Sequence, residues 1–87
     1  MLHSIYTTFV SRNPEVPLFN RVEEARARTG ITRNELAEMV EVHYQTIGYI
    51  ERGEYNPSLA LALRLALSLE VEVSEIFSSN PFGKEKR

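Results

Sequence analysis

Three side chains in the middle of the chain, Tyr44, Gln45 and Tyr49, have the chemistry needed to recognise another molecule. A glutamine amide carries an acceptor and two donors in one plane. Gln45 can therefore bond N6 and N7 of adenine, which discriminates against a wrong base by about 1–3 kcal/mol. A tyrosine can contact a thymine methyl with its ring or a phosphate with its hydroxyl. Tyrosines on helix surfaces are also often packing residues, so both interpretations of Tyr44 and Tyr49 stay open.

The segment from Arg33 to Arg52 has the pattern of two short helices joined by a tight turn, and it places these three residues in the second helix. Apolar residues with helical spacing form one face on each helix: Leu36, Ala37, Val40, Ile47 and Ile50. Thr32 followed by Glu35 forms a capping box that begins the first helix, and Gly53 ends the second. This is helix-turn-helix spacing, which usually places the second helix in the major groove of double-stranded DNA.

Positions near helix starts and in the adjoining loop are candidates for binding DNA phosphates, because helix N-termini and nearby donors favour anions. The candidates are Arg33, His43, Thr46, Arg52, Asn56 and Ser58. His43 can contact phosphate when protonated, or it can act only as a weak helix cap. Gly48 costs about 1 kcal/mol inside a helix. Its presence indicates either a close approach to the duplex or a tolerated weak position.

Three further helices are expected around this motif. The first extends from about Phe19 or Asn20 to Thr29, with Asn20 as its cap. Leu59 to Leu69 alternates leucine mainly with alanine, as a strand could, but alanine favours a helix and Ser58 can cap it. A helix that is apolar on nearly every side is buried on most of them, so we expect one side to meet a second subunit. The last short helix is predicted over Glu75 to Phe77, capped by Ser74.

The two ends of the chain differ from this central region. We expect residues 18–77 to form the helix-turn-helix domain, residues 1–17 an N-terminal extension, and residues 78–87 a short extended segment with a basic tail. Ser4 to Val10 is rich in residues that favour a strand. The extension is either an arm, adding a strand to a dimer sheet or following DNA, or a flexible leader. The prediction is an all-α, five-helix fold with short strands at its N- and C-terminal ends.

Composition excludes several classes of function. The chain has 87 residues, enough for one domain, and no cysteine, which excludes disulfides and thiolate metal sites. His3 and His43 lie too far apart to suggest a ligand pair. The sequence has no nucleophile–base pair, metal cluster or phosphate-binding glycine loop, so we expect neither an enzyme nor a cofactor. It has no apolar run of membrane-spanning length and no signal pattern, so we expect a soluble, cytoplasmic protein without a membrane association.

The charge of the chain argues against DNA binding. Its formal net charge is −2, and residues 18–77 contain six Arg and ten Glu, a net charge of −4. DNA affinity rests largely on Lys and Arg at phosphates. A DNA-binding protein with this balance must segregate its charges, bind weakly or bind as a dimer.

From about Leu18 to Phe77 the chain resembles the Xre family of Cro- and repressor-type helix-turn-helix regulators, most closely the small regulators related to the cytolysin repressor. The matching segments are VEEARARTG, TRNELAEMVEV, QTIGYIERGEYNPSL and VSEIF. The resemblance implies a homodimeric transcriptional regulator, usually a repressor, that binds an inverted repeat in DNA. It also implies a phosphate contact by Arg33 and an ion pair between Arg26 and Glu51, although Arg26 can instead extend into solvent.

The leucine-rich part of the chain leaves several interpretations open. Leu61 and Leu67 stand where many relatives have polar residues, and with Phe77 and Phe82 they are candidates for the dimer contact. The alternative is extra core beneath the N-terminal segment. A rival function for an acidic, leucine-rich member of this family is an antitoxin that holds a toxin protein through its apolar surface, with operator binding secondary. A third is a fold retained for protein contact alone, without DNA binding.

Overall fold

The two ends of the described chain meet in a short antiparallel sheet. The computed structural model describes residues 18–82. Its elements in chain order are β1 (Phe19–Asn20), α1 (Val22–Thr29), α2 (Arg33–Val40), α3 (Tyr44–Glu51), α4 (Leu59–Leu69), α5 (Val73–Ile76) and β2 (Phe77–Ser78). Phe19 pairs with Ser78, and Asn20 with Phe77. The predicted all-α, five-helix fold with short strands is confirmed. The strand expected at Ser4–Val10 lies outside the described residues, as do all of 1–17 and 83–87.

The start of α1 differs from the prediction because β1 occupies positions that were expected to be helical. The backbone of Phe19 and Asn20 pairs with β2, so α1 begins only at Val22. The N-cap position is Arg21, which makes no side-chain cap bond. The Asn20 side chain instead accepts a hydrogen bond from the Val22 backbone N–H through Oδ1 at 3.0 Å. Its Nδ2 donates to the carbonyl of Ile50 at 2.9 Å, which ties β1 to the end of α3.

The bounds of α5 also differ from the expectation. The helix extends over Val73–Ile76, and its N-cap residue, Glu72, forms no side-chain cap bond. The prediction that Ser74 caps the helix is therefore wrong, because Ser74 lies inside it. Phe77 was expected to be helical, but it has an extended backbone and pairs with Asn20 in the sheet. The strand pairing ends the helix one residue early.

The helix-turn-helix follows local capping chemistry. The predicted capping box is present: Thr32 Oγ1 accepts from the Glu35 backbone N–H at 3.0 Å, and Glu35 Oε1 accepts from the Thr32 N–H at 2.8 Å. The turn between α2 and α3 passes through Glu41, whose φ of 62° costs a non-glycine residue about 1–2 kcal/mol. Val42 follows, donates to the carbonyl of Ala37 at 3.0 Å and packs against the core, which offsets that cost.

The core lies where all five helices meet. Its buried members are Val22, Ala25, Leu36, Ala37, Val40, Ile47, Ile50, Leu61, Leu65, Ala66, Leu69 and Ile76. Leu61 is only 6% exposed. Its assignment to a dimer contact is therefore wrong, since its side chain is already packed inside its own subunit. Leu67, six residues further along α4 and on a different face of the helix, is 79% exposed.

The longest described helix, α4, has 11 residues. Within residues 18–82 there is no helix with the length and apolarity needed to cross a membrane.

Candidate nucleic-acid interface

An open groove of about 250 Å³ lies between the start of α2 and the outer face of α3. It is lined by Arg33, Tyr44, Gln45, Gly48, Tyr49 and Arg52. The structure therefore brings together the three residues predicted to contact bases and two of the six predicted to contact phosphate. Among the described residues that line it, the charged ones are both arginines, so positive charge is concentrated here in an otherwise acidic domain.

Helical spacing explains why these α3 residues face outward. Ile47 and Ile50 are buried against the core, which turns the face carrying Tyr44, Gln45 and Tyr49 toward solvent. The side chains of Tyr44 and Tyr49 are each 45% exposed. His43 is the N-cap of α3, and its Nδ1 accepts from the Gln45 backbone N–H at 3.4 Å. His43 thus serves as a long, weak cap, as one of its two interpretations held.

A buried carboxylate anchors the groove from below. The side chain of Glu51 is 1% exposed and binds two arginines. Arg26 Nε donates to Oε2 at 2.7 Å and Arg26 Nη2 donates to Oε1 at 3.3 Å. Arg33 Nε donates to the same Oε1 at 3.0 Å. Arg26 and Glu51, the two residues expected to pair, are thus in contact, while the second partner, Arg33, was not expected.

The environment of Arg26 favours its charged form. The hydrogen bond to Glu51 raises the pKa of Arg26 and outweighs the opposite effect of burial, and the charges of Glu51 and Glu23 add to the increase. A third hydrogen bond runs from Arg26 Nη1 to the carbonyl of Ile31 at 3.1 Å. The charge that interrupts the apolar face of α1 is therefore fully engaged.

Two guanidinium groups converge above Gly48. A Cβ added to Gly48 would lie 3.3 Å from Arg52 Nη1 and 3.5 Å from Arg33 Nη1. Arg52 is held by Glu54, with its Nε 3.3 Å from Oε1, and its Cζ lies 5.2 Å from the centre of the Tyr49 ring. Within the domain itself, Gly48 therefore allows the side chains of Arg33 and Arg52 to lie close to the backbone of α3.

The remaining predicted phosphate contacts lie outside the groove lining. Thr46 is half-buried on α3, and Asn56 is exposed in the loop before α4. Ser58 Oγ accepts from the Leu61 backbone N–H at 3.1 Å, so Ser58 caps α4 as predicted. Glu38 and Glu41 are exposed but are not among the groove residues. Glu54, in contrast, lies 3.3 Å from the Nε of Arg52, so one exposed acidic side chain does border the groove.

Residues 22–76 match the sequence model described as helix-turn-helix. The chain belongs to the Xre-type helix-turn-helix family. It is a transcriptional regulator with a helix-turn-helix DNA-binding domain, and it is not an enzyme. The resemblance in the sequence is thereby confirmed at the level of the family.

Relatives of this Xre-type regulator and a similar solved structure of another protein agree with that assignment. An uncharacterized HTH-type transcriptional regulator of Archaeoglobus fulgidus is 42% identical over 57 residues, which are 66% of this chain and 81% of the relative. The HTH-type transcriptional regulator YgzD of Bacillus subtilis is 41% identical over 58 residues, 67% of this chain and 88% of the relative. The restriction-modification controller protein C.AhdI of Aeromonas hydrophila superposes with a TM-score of 0.60 at 33% identity, covering 62% and 82% of the two chains.

Proposed function

We propose that this Xre-type regulator is a sequence-specific repressor that binds an inverted repeat as a homodimer, with α3 in the major groove. The observation that carries the proposal is the groove in which Gln45 lies beside Arg33 and Arg52. An amide can distinguish one base from another, and guanidinium groups can neutralise phosphates. A DNA-reading helix needs both kinds of contact, one to specify the sequence and one to position the helix. We assign repression because it is the usual role in the family that the chain resembles.

Gln45 is the proposed base-reading residue. It is the second residue of α3 and is exposed, and the first turn of a recognition helix is the part that meets base edges. Its proposed partner is adenine, bonded through N6 and N7. Tyr44 and Tyr49 line the same groove and are proposed to contact thymine methyl groups or phosphates. The Tyr49 ring also supports Arg52, so part of its surface is committed to the protein.

The proposed phosphate contacts form two groups. Arg33 and Arg52 carry charge inside the groove and are the principal contacts. Thr46, Asn56, Ser58 and His43 are secondary ones at the ends and edges of α3 and α4. The Ser58 hydroxyl accepts a hydrogen bond as a cap, and its own hydrogen remains available to a phosphate oxygen. With few cations per subunit, a dimer is the arrangement that reaches the contact number DNA binding needs.

The proposed dimer contact is a leucine stripe on α4, made of Leu59, Leu63 and Leu67. These residues are 72%, 49% and 79% exposed, and their spacing of four places them on one face of the helix, away from the buried Leu65 and Leu69. Contiguous exposed apolar surface of this kind usually marks an interaction site. A second copy is the proposed partner because two such helices can pair about a two-fold axis at Leu63. That pairing places Leu59 of each copy beside Leu67 of the other, and its symmetry matches an inverted repeat.

The other candidates for the dimer contact are occupied within their own subunit. Phe77 is half-buried and packs against the core. Phe82 is half-buried, with the Cζ of Arg21 4.4 Å from the centre of its ring. Of the four original candidates, Leu67 is the one retained in the stripe. The antitoxin interpretation gains no support from the described residues or from the relatives above, and it is not proposed.

Selection from random duplexes tests this function. The wild type and Gln45→Ala are each incubated with a random pool at about 100 mM salt, and bound duplexes are sequenced. We expect the wild type to recover an inverted repeat with half-sites about one helical turn apart, or a multiple of it. Gln45→Ala should lose the preference at one base pair in each half-site. Asn80→Ala, which removes an exposed amide outside the groove, is the matched control and should recover the wild-type motif.

Two outcomes would contradict the proposal. In the first, no sequence is enriched and the affinity depends on salt alone, which would leave only non-specific electrostatic binding. In the second, the selected duplexes contain a single half-site and the regulator binds them as a monomer, which would exclude the homodimer.

A further inference from the structure

We propose that Gly48 forms the floor of an oxyanion site between the guanidinium groups of Arg33 and Arg52, and that a backbone phosphate of the bound duplex occupies it. This inference rests on the proposed function, because it names the phosphate site that positions α3. It adds Gly48 to the DNA-binding surface. It also makes Glu51 a positioning residue, because Glu51 holds Arg33 in place.

The geometry of the two arginines suits a single anion. Arg33 Nη1 and Arg52 Nη1 both lie within 3.5 Å of the point where a Cβ of Gly48 would be. They are therefore separated by no more than twice that distance. One phosphate group can accept hydrogen bonds from both nitrogens across such a gap, and charge-assisted bonds of this kind are the strong ones.

Two carboxylates orient the donors toward the groove. Glu51 binds Arg33 through Nε, and Glu54 lies 3.3 Å from Arg52 Nε. The terminal nitrogens of both arginines have no hydrogen-bond partner among residues 18–82 and line the groove. Glu51 is itself fixed by Arg26 and is 1% exposed, so Arg33 is held at a defined position before any ligand arrives. Such preorganisation lowers the entropic cost of binding.

Gly48 is a glycine for reasons of space and not of backbone conformation. The described glycines with positive φ are Gly30 and Gly53, and Gly48 has an ordinary helical backbone. Glycine destabilises a helix interior relative to alanine, so the helix is less stable than it could be at this position. A side chain there would enter the space that the two guanidinium groups border, because the Cβ alone would lie 3.3 Å from Arg52 Nη1. We therefore relate the absent side chain to the anion site.

The first test uses Gly48→Ala, with thermal unfolding and DNA affinity measured on the same protein. Alanine favours the helix, so the melting temperature should rise or stay the same. The affinity for the selected duplex should fall, by tenfold or more if one charge-assisted contact is lost. A purely structural role of Gly48 would move both quantities in the same direction. Unchanged affinity in a folded Gly48→Ala protein would overturn the proposal.

The second test counts phosphates through the salt dependence of binding. Each phosphate neutralised contributes about 0.9 to the slope of log K against log salt. If Arg33 and Arg52 share one phosphate, the double variant Arg33→Gln/Arg52→Gln should lower the slope by about 0.9 per subunit, whereas two separate contacts would lower it by about 1.8. Arg28→Gln, an exposed arginine outside the groove, is the matched control and should leave the slope unchanged.

The third test identifies the source of the anion. A single neutral methylphosphonate is placed at each backbone position of the selected duplex in turn. One position in each half-site should weaken binding of the wild type but not of the double variant. If no position does so, while inorganic phosphate shifts the NMR signals of Gly48 and the two arginine Nε groups, the occupant is a free anion and the assignment to DNA is wrong.

The failures of the two proposals can be told apart. If the wild type selects no sequence, the proposed function fails and this inference fails with it. If the wild type selects an inverted repeat but the double variant keeps the wild-type salt slope, only the anion site is overturned.

Discussion

Replacing Arg26 by alanine should destabilise the fold strongly, because it leaves the buried carboxylate of Glu51 with one partner in place of two. The change removes two hydrogen bonds to Glu51, at 2.7 and 3.3 Å, and one to the carbonyl of Ile31 at 3.1 Å. Breaking a buried ion pair costs about 3–5 kcal/mol. Arg33 still binds Glu51 at 3.0 Å and 16% of the Arg26 side chain is exposed, which places the expected loss near the lower end of that range, at about 3 kcal/mol.

Thermal and urea unfolding measure this loss directly. For a domain of this size, 1 kcal/mol corresponds to about 4–8 °C in melting temperature, so Arg26→Ala should lower it by more than about 10 °C. Arg33→Ala is the informative comparison, since it removes the other partner of the same carboxylate from a side chain that is 43% exposed. We expect it to cost about 1 kcal/mol or less in stability. A melting temperature of Arg26→Ala close to that of the wild type would refute this reasoning.

The pKa of Arg26 determines how the stability difference between the wild type and Arg26→Ala depends on pH. The pKa of Arg26 is raised in the folded state, chiefly by the hydrogen bond to Glu51. A raised pKa of a basic group gives stability that is fully present below the unfolded-state pKa and is lost only as pH rises through the folded-state value. That range lies above the ordinary arginine pKa. The difference in stability between the wild type and Arg26→Ala should therefore not change between about pH 7 and about pH 10.

Two further predictions separate the two faces of α4. Leu67→Glu should convert the dimer to a monomer, as measured by light scattering, with little loss of monomer stability. The control Arg64→Gln changes an exposed residue of the same helix and should leave the dimer intact. A dimer that survives Leu67→Glu would exclude the leucine stripe as the dimer contact. Leu61→Ala should cost about 2–5 kcal/mol in unfolding free energy, because it opens a cavity in the core. The dimer dissociation constant of Leu61→Ala, measured well below its melting temperature, should match that of the wild type. Loss of dimerisation without loss of folding stability would contradict the placement of Leu61 in the core.

The helices of the motif could be predicted because their signals are local. The capping box of Thr32 and Glu35 and the cap at Ser58 depend on residues three positions apart, and α4 has the predicted bounds. The sheet could not be predicted in the same way. Phe19–Asn20 is extended only because its partner, Phe77–Ser78, lies at the other end of the described chain. A strand of two residues leaves no periodic pattern.

The sequence pattern also could not predict which face of α4 is exposed. Leucine occupies every second position from Leu59 to Leu69, so two stripes with a spacing of four are equally apolar. Either could face the core on pattern alone. Packing against α2 and α5 buries Leu61, Leu65 and Leu69 and exposes the other stripe. The sequence could therefore predict that a leucine face is left over, but not which one.

The candidate site likewise contains residues that the local sequence pattern predicts and contacts that it does not predict. Tyr44, Gln45 and Tyr49 follow from the period of α3, and the groove contains all three. The bond from Arg33 to Glu51 joins residues 18 positions apart on different helices, and no local spacing predicts it. Gly48 was conspicuous in the sequence, but its neighbours are arginine side chains that only the tertiary structure brings there.

The most direct test of the central claim is a double-mutant cycle between Gln45 and the adenine it is proposed to contact. The affinity of the wild type and of Gln45→Ala is measured for the selected duplex and for the same duplex with 7-deazaadenine, which lacks the N7 acceptor. We expect the base change to weaken binding of the wild type by about 1–3 kcal/mol per half-site and to leave binding of Gln45→Ala nearly unaffected. An equal loss in both proteins would contradict this expectation, since Gln45 would then not be the residue that contacts the base.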